Sequence, residues 1–223
     1  MGTRIAPAQA PYAAEIQECF DRLLPKGVAP LVLFTTLARD HRLFERFMHG
    51  APLDVVHLTL RQREIIIDRV TALCGSEYEW GVHIAFFARR AGLSDEQIAS
   101  TATAGGADAV WNEQERLLLS TCDQLHANCD IDEPSWRTLQ ATFSDAAILE
   151  ILMLAGYYRM ISYFTNALKL PLEPFARRFP ASSSRAADVK LHRRRVERGP
   201  PDARDRSQSE LRRQPVKRSS LAS

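Results

Sequence analysis

Little in this chain points to covalent or metal reinforcement. Its 223 residues include four cysteines, Cys19, Cys74, Cys122 and Cys129. None forms a C-x-x-C pair, which excludes a dithiol redox motif and a zinc framework by spacing. In a reducing compartment they read as free thiols that pack like small hydrophobes. No H-x-x-x-H or E-x-x-H pair occurs, so neither a metal nor a cofactor is expected. No apolar run approaches the roughly 20 residues that span a bilayer, and no membrane association is expected. The N-terminus has one arginine but no apolar stretch of the secretory kind, and the expected location is cytoplasmic. Alternating strand patterns are absent too. The short apolar run Ile65–Ile67 sits inside a helical period.

What is present suits a soluble globular chain, 45% hydrophobic and 25% charged, large enough to bury a substantial core. Its net charge of +2 is unevenly spread. Residues 181–223 carry 12 basic and 5 acidic side chains, whereas residues 1–180 carry 17 and 22. The segment 181–223 is rich in Arg, Ser and Pro and poor in large apolar residues, so it is expected to be a disordered, dispensable extension. It has no aromatic side chain on which a base would stack, so no specific nucleic-acid role is expected.

Residues 1–180 read as one all-α domain. Helical periodicity and terminal signals place helices at 12–24, 31–38, 41–49, 60–73, 77–91, a short one after Ser94, 113–127, one opening at Pro134, and 145–169. Thr59, Ser94, Asn112 and Ser144 are the expected N-caps, with Gln97 completing a capping box at Ser94. Gly105-Gly106 is the expected stop of the short helix. The helix 145–169 is apolar nearly all round, which points to a bundle centre or a subunit interface.

The residues that carry chemistry lie in GSEYEWGVH, 75–83. At 3.6 residues per turn, Glu79 and His83 share one helix face, and Ser76 reaches it from seven residues before His83. Glu64 stands on the preceding helix, where a hairpin through 74–76 brings it opposite His83. A histidine between carboxylates suits general acid/base catalysis, because it titrates near neutral pH. The same i,i+4 pair is also common as plain helix stabilisation.

Three motifs resemble a known family in order: L-x-x-R-x-R-E at 58–64, G-x-E-Y-E-W-x-x-H at 75–83 and A-x-x-A-G-L-S-D-E-Q-I at 88–98. They look like the carboxymuconolactone decarboxylase family, which includes the alkylhydroperoxidase D-like proteins. LMLAGYYRMISYFTNALKLPLEP (152–174) resembles the C-terminal helix of its longer members. The resemblance spans about residues 5–180. It implies packed helical hairpins assembled as a homo-oligomer, a trimer or hexamer. In the family's peroxidase branch a cysteine pair is activated by a His and by a Glu of the preceding helix. Glu64 and His83 match those two, but Ser76 and Glu79 stand where the cysteines would be. The E-x-x-x-H of the decarboxylase branch is matched by Glu79 and His83.

The resulting expectation is a cofactor-free acid/base enzyme acting on a small organic acid or lactone. His83 is the proton shuttle, with Glu79 and Glu64 beside it. Trp80, Tyr78 and Tyr157 are expected pocket walls, Arg63 a partner for a substrate carboxylate, and Asn166 a polar contact of the pocket or of an interface. Two rival expectations are a peroxidase using Cys74 and a non-catalytic oligomeric binding protein.

Overall fold

The structure, a computed structural model, describes residues 3–24, 27–51, 56–103 and 108–181. The expected disordered extension, from residue 182 on, and the Gly105-Gly106 stop lie outside the described residues. Among the described residues all regular structure is helical: α1 (Ala14–Leu23), α2 (Val32–Leu37), α3 (His41–Gly50), α4 (Leu60–Leu73), α5 (Glu77–Phe87), α6 (Asp95–Ala102), α7 (Glu113–Asn128), α8 (Glu133–Thr142) and α9 (Asp145–Ala167).

Local chemistry sets the helix starts. Thr59 accepts from the Gln62 backbone N–H while the Gln62 side chain returns to the Thr59 N–H. Ser94–Gln97 and Asn112–Glu115 form the same reciprocal box, and Ser144 caps α9 through Ala147. Each box satisfies two N–H groups that the helix itself leaves unpaired. α5 ends at Phe87, four residues short of the expected 91, and the chain turns through Gly92, whose φ of +68° favours glycine.

α4 is the centre of the fold, packed against α5, α6, α7 and α9. Arg63 through Thr71 are all buried, so its polar side chains must find partners. Arg61 reaches Glu115 at 2.6 Å and the Gly92 carbonyl at 2.6 Å. Arg69 reaches Asp123 at 2.6 Å and the Thr101 carbonyl at 3.0 Å.

Gly75, at φ +68°, turns the chain from α4 into α5, and the Ser76 N–H closes the turn on the Thr71 carbonyl at 2.8 Å. This hairpin brings Glu64 across from His83.

α9 corrects the expectation that no segment is long and apolar enough to cross a membrane. Its 23 residues meet that test by length and composition, because the charges at Asp145, Glu150 and Arg159 are too sparse to break it. In the fold it is a core helix, burying Ile148, Ile151, Leu154 and Ile161. After α9 the chain runs back over α5 as a strap. Arg177 N–H bonds the Gly81 carbonyl at 3.1 Å, and Phe179 stacks on Trp80 with ring centroids 5.0 Å apart.

Candidate active site

α5 turns one stripe of side chains toward a cavity. Glu79, Val82, His83, Phe86 and Phe87 follow helical spacing and line it, and Arg90 joins them from the turn that follows. The cavity measures about 310 Å³, within the range of small-molecule sites. Leu23 and Leu24 at the end of α1, Leu33 and Phe34 of α2, and Phe47 and Met48 of α3 supply one wall. Tyr157, Tyr158 and Ile161 of α9 supply another. The walls are therefore largely apolar, with Glu79 and His83 at the polar end.

His83 is gripped from two sides. Its Nδ1 lies 2.9 Å from Glu64 Oε2, and its Nε2 lies 3.6 Å from Glu79 Oε1. Tyr158 meets its ring edge-on at 4.9 Å between centroids, and Phe87 lies 5.2 Å away on a tilted plane. Burial pushes the imidazole toward its neutral form, but Glu64 and Glu79 outweigh burial and hold its pKa up at about 10. At neutral pH His83 is an imidazolium, with both N–H groups directed to carboxylates. The oxygen left for a ligand is then Glu79 Oε2, which is buried and has no hydrogen-bond partner.

Behind Glu64, one turn further along α4, stands Asp68. It is wholly buried, and neither of its oxygens has a partner. Burial, then the charge of Glu64, raises its pKa well above the usual carboxylate range, against the smaller opposing effect of His83. Asp68 Oδ1, Asp68 Oδ2 and Glu79 Oε2 are the three buried side-chain oxygens without a partner among the described residues. All three belong to this one cluster.

The structure brings together Glu64, Glu79 and His83 as expected from sequence, and puts Tyr157 on the cavity wall, its hydroxyl donating to the Phe47 carbonyl at 2.8 Å. Five other expected site residues do not line the cavity, which corrects the sequence reading. Tyr78 and Trp80 stand about 100° to either side of Glu79 on the helix. Tyr78 donates to Glu173 and accepts from the Leu33 N–H. Trp80 donates to Thr101 Oγ1 at 3.0 Å. Ser76 is spent as the α5 N-cap and bonds Thr165 at 2.7 Å. Arg63 pairs with Glu150 at 2.5 Å, and Asn166 donates to the Cys74 carbonyl at 2.8 Å.

Sequence reading missed Asp68, Tyr158, Phe87 and Arg90. Asp68 left a signal, since it lies four residues after Glu64 in an otherwise apolar stretch. Cys74 lies apart from the cavity. Its thiol is 3.9 Å from His126 Nδ1, and burial raises its pKa.

A hairpin of helices here holds a histidine between carboxylates beside an apolar cavity, a candidate small-molecule site. Residues 41–120 match the model of the Carboxymuconolactone decarboxylase family, and the chain has the fold of solved AhpD-like proteins.

Solved structures share the fold. An uncharacterized peroxidase-related protein from Silicibacter sp. TM1040 aligns at TM-score 0.66 and 19% identity, over 77% of this chain and 92% of that one. An uncharacterized peroxidase-related protein with an alkylhydroperoxidase AhpD core, from Ralstonia eutropha JMP134, aligns at 0.61 and 18%, over 76% and 93%. A variant of the debrominase Bmp8, in complex with 2,3,4-tribromopyrrole, aligns at 0.60 and 18%, over 78% and 94%. At these identities the likeness is one of fold. No curated protein matches the chain.

Proposed function

We propose that the chain is an acid/base enzyme acting on a small organic molecule, with decarboxylase- or lactone-type proton transfer. The observation that carries this is the placement of His83 between Glu64 and Glu79 at the polar end of an apolar cavity. Glu79 meets the substrate and accepts its proton. The imidazolium of His83 stabilises the Glu79 carboxylate and is fixed in orientation by Glu64. This differs from the sequence expectation in making Glu79, rather than His83, the group that touches substrate. A largely apolar wall strengthens each of these charge interactions.

The test is turnover in a screen of lactones, β-keto acids and hydroperoxides. His83→Ala and Glu79→Gln should each cost about 10²–10⁴-fold, the usual contribution of a general acid/base group. Cys74→Ser should leave the rate unchanged. A reaction abolished by Cys74→Ser and spared by His83→Ala would overturn the reading in favour of thiol peroxidase chemistry. Ligand binding without turnover of any compound would favour a binding protein.

A further inference from the structure

The polar end of the cavity is acidic, and that constrains what enters it. Glu64 and Glu79 supply two carboxylates against the single imidazolium of His83, and Asp68 behind them adds no positive charge. Glu79 is only 6% exposed and lines the cavity, and its buried Oε2 accepts no hydrogen bond from the protein. A buried carboxylate oxygen without a donor is costly, and a ligand donor relieves that cost. Besides His83, Arg90 is the cation among the described residues lining the cavity. It is exposed, with its guanidinium 5.6 Å from the Phe87 ring centroid.

Resting on the same site as the acid/base reading, we infer that the cavity selects apolar molecules whose inner end is an uncharged hydrogen-bond donor, such as a phenol, an enol or an N–H heterocycle. The donor hydrogen goes to Glu79 Oε2. Leu33, Phe34, Phe47 and Ile161 pack the hydrocarbon body. A single anionic group is tolerated when it points outward to Arg90. A dicarboxylate is rejected, because its inner carboxylate would face Glu79 with no donor of its own and no free cation beside it. The same orientation puts the acidic X–H of the ligand on the oxygen that would accept its proton.

The test is calorimetric binding at neutral pH, with no turnover required. The probes are para-propylphenol, its methyl ether para-propylanisole, and cis,cis-muconate as the dicarboxylate. The phenol keeps its proton at that pH, since phenolic groups titrate near pH ~10. It should bind at least about tenfold more tightly than the ether, as a hydrogen bond to a charged acceptor implies. Muconate should show no measurable heat of binding. In Glu79→Leu the phenol–ether difference should fall below about twofold, since the acceptor is gone. The wild-type comparison stands even if that variant fails to fold.

Equal affinity for phenol and ether, no binding of the phenol, or tighter binding of muconate would overturn the inference. If discrimination fails while His83→Ala still abolishes turnover, only this inference is lost. If discrimination holds while no compound turns over, the acid/base reading is the one that falls.

Discussion

His83 Nδ1 lies 2.9 Å from Glu64 Oε2, a buried contact between two helices joined by a three-residue turn. It orients the imidazole and, with Glu79, keeps it charged far above the pH at which histidine normally titrates. Two consequences are measurable. By NMR, His83 should stay protonated through neutral pH and titrate near about 10. In stability, a folded-state pKa above the unfolded value of 6.5 means that the pairing contributes fully below pH ~6.5 and is lost as pH rises through about 10. Wild type should therefore lose a few kcal/mol relative to His83→Gln across that window, read from chemical denaturation at a series of pH values.

Asp68 should behave as a carboxylate whose ionisation destabilises the fold as pH rises. Its pKa in the folded state is raised well above the ordinary carboxyl value of 3.8 by burial and by the charge of Glu64. The native state thus holds the proton more tightly than the unfolded chain, and stability is lost as pH rises through the raised value. Asp68→Asn keeps the shape and cannot ionise. The variant's melting temperature should match wild type near pH ~4 and exceed it increasingly as pH rises. A gap that stays constant with pH would show that Asp68 titrates normally.

Two glycines on buried and open helix faces give opposite expectations. A Cβ on Gly81 would collide with the Arg177 carbonyl oxygen, whereas a Cβ on Gly156 would meet nothing within 4 Å. Gly81→Ala should cost about 1–3 kcal/mol by displacing the strap. Gly156→Ala should gain up to about 1 kcal/mol from helix propensity alone. Thermal denaturation of the two variants decides both.

We also propose that α9 mediates self-association. Leu149, Met153 and Tyr163 are 66%, 63% and 60% exposed on it, and large apolar side chains at helical spacing in the open are unusual for a monomer. Light scattering at micromolar concentration should give the mass of a trimer or hexamer, and Met153→Glu should lower it. A monomeric mass for wild type would refute the proposal.

Helix starts were legible because a cap is a local event: Thr59, Ser94, Asn112 and Ser144 each bond a backbone N–H three residues on. The Glu79–His83 pair was legible for the same reason, and Glu64 followed once the turn at 74–76 was recognised. The walls were not. Leu33 and Phe34 meet Tyr158 and Ile161 from over a hundred residues away, and only packing brings them to one cavity. Trp80 and Tyr78 misled because an aromatic beside a polar pair carries no mark of which side of the helix it occupies. Asp68 was missed because a carboxylate four residues after another reads as a solvated face, when in fact α4 has no solvated face at that level.

The cavity is assembled from two sources. Glu64, Asp68, Glu79 and His83 all fall within residues 41–120, the span that matches the family model. Leu33, Phe34, Tyr157 and Tyr158 fall outside it. The acidic cluster and that part of the apolar wall therefore come from different stretches of the chain, while Phe47, Val82, Phe86 and Phe87 line the cavity from within the span. Exchange of the 23–34 segment alone would retune which compounds fit while leaving the acid–base register untouched, so substrate preference can diverge among chains that keep the same E-x-x-x-H.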